Sequence, residues 1–393
     1  MRKTGMILIP VLILLSWLSV KYVWAQDQTK PQKITVIRYQ KDSLSEITIN
    51  LVGDLMCHKP QTNNAAIGNN SYDFNPSFQY IKPYLEDADI TIGNLETTFA
   101  GPSQPYSGYP AFNSPDEYCA ALKQNGFDFL VTANNHSMDT REDGLQRTLE
   151  VIKKNGLGYT GTYSSQRDKD SCRILNLKGI KLGILNYTYG TNGSYPAADH
   201  KYMLNVIDSA DITNAVHQTL KRGADVVLVF YHMGTENISE PTPAQKDAVR
   251  FALDAGAKLV IGAHPHVIGP TRNEVSPVTH DTCFVAYSLG NFISNQYWRY
   301  TDAGVVLTLH VEKNMTKNTT RFKQAEFVPT WVYRGDGGKK QHIVFPAAWV
   351  NDTTLLPDFL AATHKQKMKE ALEDTRSTLT KYNTYIHEKP LKK

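Results

Sequence analysis

Leu259-Val260-Ile261-Gly262-Ala263-His264-Pro265-His266 carries a short aliphatic run straight into two imidazoles on alternate residues. A run this short, bounded by Gly and Pro, has the composition of a strand buried on both faces in a parallel sheet. Ligands of open α/β sheets gather beyond the carboxyl ends of such strands, which is where both histidines fall. The same arrangement recurs along the chain. Val226-Val227-Leu228-Val229-Phe230 leads into Tyr231-His232-Met233-Gly234, and Phe129-Leu130-Val131 leads into Asn134-Asn135-His136, with a helix-like segment after each. Two earlier runs end on acids. Ile47-Thr48-Ile49-Asn50-Leu51-Val52 delivers Gly53-Asp54, and Ala88-Asp89-Ile90-Thr91-Ile92 delivers Gly93-Asn94-Leu95-Glu96. Five strand ends therefore converge on one cluster of His, Asn and carboxylate side chains.

Helix signals separate these strands. Ser114-Pro115-Asp116-Glu117 reads as a capping box opening a helix that stops at Asn125-Gly126, and Thr242-Pro243-Ala244-Gln245 repeats the device before Gly256. Residues 141–155 and 208–222 are also helically patterned. Alternating strands and helices imply an α/β fold with right-handed crossovers and a mainly parallel sheet. A second pattern interrupts it: residues 173–177 and 181–185 flank Lys178-Gly179 as a hairpin, and 284–288, 304–309 and 321–333 read as consecutive strands. A second, more antiparallel sheet accommodates them, giving two stacked mixed sheets with helices outside, a four-layer α/β/β/α sandwich. Residues 59–80 and 100–114 read as long irregular loops of the kind that bind ligand. The aromatics Tyr106, Tyr109 and Phe112 give the second loop either a face for substrate or a core of its own.

At 393 residues the chain can hold one large α/β domain with extensions. Arg2 and Lys3, the apolar residues 6–20 and Val23-Trp24-Ala25 form an export signal, expected to be cleaved before Gln26 or retained as an anchor. Residues 26–45 read as a polar linker, 46–335 as the domain, and 336–393 as a partly helical extension. The expected location is outside the cytoplasm: periplasmic, extracellular or anchored to the outer face of the membrane. Without residues 1–25, 39 basic residues face 38 acidic ones, so nothing suggests a nucleic-acid partner. Cys57, Cys119, Cys172 and Cys283 show no CxxC spacing and read as buried free thiols or one incidental bridge.

The cluster has the donors for a divalent cation. Asp54, Glu96, the Asn135 carbonyl, His232, His264 and His266 suit one or two ions of the Mn, Fe or Zn type, with Co also admissible; Cu and Ca prefer other donor sets. Such a pair polarises a phosphoryl group and activates water. His136, left over, is then the acid that protonates a leaving alkoxide. Strand-end caps for the acids and an Asn-rich turn at 134–136 are the plain structural readings of the same residues. Arg141 and Arg272 are the nearest cations that could hold a substrate's phosphate or carboxylate.

Taken in order, Gly53-Asp54, Gly93-Asn94-Leu95-Glu96, Asn134-Asn135-His136, Tyr231-His232-Met233-Gly234, Gly262-Ala263-His264-Pro265-His266 and Tyr287-Ser288-Leu289-Gly290-Asn291-Phe292 resemble the CapA/PgsA family of capsule and poly-γ-glutamate synthesis proteins over residues 46–300. That family resembles a branch of the calcineurin-like metallophosphoesterases, four-layer sandwiches around two metals. The resemblance implies Asp54 as first-motif ligand, Glu96 in the place of a bridging Asp, Asn135 and His136 as ligand and acid, and His232, His264 and His266 as the last three ligands. Met56 stands where the superfamily has a ligand His, which weakens one metal position; His58 is a poorly spaced substitute. The resemblance further implies as partners an anionic polymer or its phosphorylated precursor and membrane-embedded synthesis or export proteins. A non-catalytic scaffold subunit and a free periplasmic phosphoesterase are the competing functions.

Overall fold

A computed structural model of the chain describes residues 43–335 and 341–392. The expected export signal and almost all of the 26–45 linker lie outside them. Among the described residues no helix is long and apolar enough to cross a membrane.

Two sheets carry the fold. The first runs Ile343–Pro346, Thr319–Tyr333, Ala303–Asn314, Leu44–Leu55, Ile90–Leu95, Phe129–Val131 and Gly158–Thr160. Its last four strands are parallel to one another and the others join antiparallel. The second runs Thr271–Val275, Thr282–Ala286, Leu259–Ala263, Val226–His232, Ile180–Thr188 and Ile174–Leu177, parallel in its four central strands. Strand alternation decides the layers. Val226, Leu228 and Phe230 point inward against Ile47, Ile49 and Leu51 of the first sheet. Val227, Val229 and Tyr231 point outward against Ile212 and Val216 of the Ser209–Lys221 helix and Ala248 and Ala252 of the Pro243–Asp254 helix. On the far side, Leu55 and Leu130 meet Tyr118, Leu122, Leu145 and Ile152 from the Asp116–Gln124 and Arg141–Lys154 helices. This is the expected four-layer α/β/β/α sandwich. Each fully buried Leu or Ile in it contributes about 1.5–3 kcal/mol relative to exposure.

Four local expectations change. The five site strands do not share one parallel sheet: Asp54, Glu96 and Asn135 come from the first, His232 and His264 from the second. The strands at 304–309 and 321–333 do not join 284–288 either. They pair antiparallel along Leu44–Leu55, where their alternating Val and Leu residues complete the inter-sheet core. Ser114 forms no capping box, because its hydroxyl instead pairs with Thr97 Oγ1 at 2.6 Å and Pro115 occupies the cap. Residues 59–80 hold the Lys59–Ala65 helix and a two-stranded ribbon rather than an open loop. The Thr242 capping box forms as expected, and so does the hairpin at Lys178 (φ 48°) and Gly179 (φ 84°).

Beyond residue 340, Ile343–Pro346 extends the first sheet. The Ala362–Thr380 helix packs Met368 and Leu372 against Trp331, Tyr333 and Phe345. Leu44–Lys393 forms one compact unit.

Candidate metal centre

Two glycines let the strand ends meet. A Cβ on Gly53 would lie 1.8 Å from the Gly290 carbonyl oxygen, and one on Gly262 would lie 2.0 Å from that of Tyr287. Only glycine allows backbones that close. Asp54 N donates to Gly290 O at 3.0 Å, which seats Asp54 at the crossing point. Beyond Gly262 the chain turns through two residues in the left-handed region, His264 (φ 99°) and His266 (φ 59°). That conformation costs a non-glycine residue about 1–3 kcal/mol, a strain that clusters at functional sites. Here it aims both rings inward.

Six side chains expected at one site are brought together and buried. Asp54 Oδ2 lies 3.1 Å from His266 Nδ1 and accepts the His264 backbone N–H at 3.4 Å, joining the two sheets. His232 Nε2 lies 2.7 Å from Asn135 Oδ1 and 3.6 Å from Glu96 Oε1. Three groups of side chains offer ligand atoms within 4.8 Å of one another: Asp54, Glu96 and His266; Glu96, His232 and His264; and Glu236, His264 and His266. Glu96 belongs to the first two, so it is placed to be shared by two cations. Both its carboxylate oxygens, and His264 Nδ1, are buried with no hydrogen-bond partner. Orphaned buried polar atoms of this kind call for an explanation, and two carboxylates, three imidazoles and an amide carbonyl fit divalent Mn, Fe or Zn.

The electrostatics agree with that donor set. Burial, followed by the charge of Asp54, holds the Glu96 carboxyl well above the usual range. Burial, reinforced by His264, pushes His232 well below the usual imidazole value, and burial with His266 pushes His264 down to about 4. The rings are thus neutral near pH 7, the form that ligates a cation.

His136 occupies a different position. Its Nε2 is 4.0 Å from Glu96 Oε1, its Nδ1 is 2.7 Å from Asp139 Oδ2, and its ring stands edge-on to Phe112 at 4.7 Å. A carboxylate on Nδ1 orients the ring and leaves Nε2 toward the cluster. A cleft of about 950 Å³ adjoins the cluster at Asn135 and is lined also by Asp139, Arg141, Glu142, Asn192 and Tyr195. Arg141 is therefore at the cleft. Arg272 is not. It lies on an edge strand whose outward residues face away from the core, and its guanidinium sits 4.4 Å from the Tyr382 ring centre. Phe112 is buried with its ring against His136 and His58, whereas Tyr109 is exposed. His58 is in none of the three ligand groups. Its Nδ1 faces Gln61 and the Asn295 backbone N–H, and burial pushes it down to about 4. All four cysteines are free, three of them buried and Cys172 half-buried.

Several residues escape the sequence reading. Asn94 donates to Asp54 Oδ1 at 2.7 Å and stands 3.0 Å from His232 Nδ1, and Asn291 Oδ1 lies 3.1 Å from His266 Nδ1. Both sit within quoted motifs without an assigned part. Asp139, three residues after His136, carries a local signal, since that spacing places it within reach. Asn192, 3.3 Å from His136 Nδ1, and Glu236 lie on loops, with no strand-end pattern to reveal them.

Residues 48–296 match the family described as "Bacterial capsule synthesis protein PGA_cap". The chain is 25% identical over 313 residues to the "Capsule biosynthesis protein CapA" of Bacillus anthracis, covering 78% of this chain and 72% of that one. It is 27% identical over 319 residues to the "PGA biosynthesis protein CapA" of Bacillus subtilis (strain 168), covering 80% and 78%. Among solved structures, the Haemophilus influenzae NAD nucleotidase NadN superposes with a TM-score of 0.46 at 12% identity, covering 88% of this chain and 57% of that one. The calcineurin-like phosphoesterase YfkN of Bacillus subtilis superposes with a TM-score of 0.42 at 14% identity, covering 85% and 100%. These last two likenesses are too distant to bear on activity. The match over most of the sandwich, including every strand end of the cluster, makes the chain a member of the bacterial capsule synthesis family PGA_cap.

Proposed function

We propose that this chain works outside the cytoplasm in making or exporting an anionic capsule or poly-γ-glutamate-type polymer, through a metal-dependent phosphoester-hydrolase type of centre. The observation that carries the reading is Glu96, a fully buried carboxylate shared by two ligand groups and left without a partner by the protein. Asp54, Glu96 and His266 would hold one divalent cation, and Glu96, His232, His264 and the Asn135 carbonyl a second. Bound there, the cations supply Lewis-acid polarisation of a phosphoryl group. The chain supplies the rest. His136 Nε2, oriented through Nδ1 by Asp139, holds the proton for a leaving oxygen at the mouth of the cluster. Asn192 and Arg141 line the approach.

The cleft also favours a phosphorylated precursor over the polymer itself. Asp139, Glu142 and Asp143 line it against the single guanidinium of Arg141. A run of polymer carboxylates would meet like charge there, whereas a phosphate would be met by the cations. Membrane-embedded synthesis or export proteins are the partners this role requires. The test is a strain lacking the chain, supplied with wild type or with His232→Ala accumulating to the same level. Surface polymer restored by the wild type alone supports the proposal. Equal restoration by both would leave an assembly role without chemistry.

A further inference from the structure

Glu236 is exposed, yet a carboxylate oxygen of it lies within 4.8 Å of ligand atoms of His264 and His266. Its loop is anchored for this. Met233 N donates to Ala263 O at 3.0 Å and Asn237 N donates to Pro265 O at 2.8 Å, tying residues 233–237 to the turn that carries both histidines. Gly234, at φ 136°, allows the approach, since a Cβ there would lie 2.8 Å from Pro265 Cγ. The Trp298 indole N–H donates to Asn237 Oδ1 at 3.1 Å and braces the loop from outside. Three hydrogen bonds and one glycine thus position an acid that has no hydrogen bond or ion pair of its own among the described residues.

The group it faces is short of ligands. Asp54, Glu96 and His266 supply three donors, and a cation of this class takes at least four. Met56, two residues after Asp54, is buried and offers only a thioether. His264 Nδ1, on a side chain 4% exposed, has no partner, an independent sign that the turn is arranged for an occupant. Resting on the metal-centre reading above, we infer that Glu236 is a carboxylate ligand of the cation beside His266, entering from the solvent side. With Asp54 and Glu96 it brings three negative charges to two divalent cations, leaving one net positive charge for an anionic substrate.

The test uses the full chain, stripped with chelator and titrated with Mn2+ alone, with metal content measured by elemental analysis and affinity by calorimetry. Wild type, Glu236→Ala, Glu236→Asp and His232→Ala are compared. Because Glu236 is exposed, the metal-free melting temperature of its variants should match that of the wild type. The expected result is at least a tenfold loss of affinity at one Mn2+ position in Glu236→Ala, partial recovery in Glu236→Asp, and loss of the other position in His232→Ala. Mn2+ affinities in Glu236→Ala within twofold of the wild type at every position would overturn the inference and leave the metal centre standing. A wild type that binds no Mn2+ would overturn both.

Discussion

Glu96→Gln replaces one oxygen by nitrogen at the centre of the cluster, and its effect on stability should change sign with metal. In chelated protein both Glu96 oxygens are buried and unpartnered, and its carboxyl is held well above the usual range by burial and then by Asp54. Leaving such a group unsatisfied costs about 1–3 kcal/mol. The pH dependence follows from linkage. Above the free-Glu value of about 4.3 the unfolded chain has released a proton that the folded chain still binds, so stability falls as pH rises, by up to about 1.4 kcal/mol per unit, until the raised folded value is passed. Gln carries no such proton. Chelated Glu96→Gln should therefore be more stable than wild type by about 1–3 kcal/mol at pH 8, or roughly 2–6 °C in a domain this large, with the gap closing toward pH 4–5. Saturating metal reverses the order, because a cation at a hundred times its Kd adds about 2.7 kcal/mol to the wild type and the variant lacks the shared charge. Scanning calorimetry in EDTA and in Mn2+ reads both effects. A chelated wild type at least as stable as the variant at pH 8, or a variant that keeps the whole Mn2+-dependent rise, refutes the reasoning.

His136→Ala should leave metal content unchanged while lowering phosphoester turnover about 10²–10⁴-fold, the usual worth of a positioned acid; unchanged turnover would remove that role. Gly53→Ala forces a Cβ to 1.8 Å from the Gly290 carbonyl and should destabilise by more than about 4 kcal/mol, seen as lost soluble yield or a collapsed denaturation midpoint. A thiol reagent should modify Cys172 alone in native protein and all four cysteines in denaturant, as the other three are buried; two fast-reacting native thiols would contradict the packing described.

Much of this site is legible in the sequence because strand ends announce themselves. A three-residue aliphatic run followed by Gly-Ala-His-Pro-His fixes both the element and the place of its polar residues, and the same pattern locates Asp54, Glu96, Asn135, His136 and His232. Sheet membership is less visible. Strand pairing is a long-range choice, and the apolar faces of 304–309 and 321–333 fit either sheet until Leu44–Leu55 is seen to need an antiparallel neighbour. Ser114 shows why local capping signals fail: a tertiary partner, Thr97, takes the hydroxyl the helix would have used. Arg272 was close to His266 in sequence only, since edge-strand alternation turns it to Tyr382. Glu236 reaches the site through a loop whose course is set by hydrogen bonds to the histidine turn, and no periodicity records those.

The account stands most directly on anomalous diffraction from crystals of the full chain grown with Mn2+. It predicts two peaks that both contact Glu96, one beside Asp54 and His266 and the other beside His232, His264 and Asn135. No peak among these residues, or metal bound away from Glu96, would contradict it.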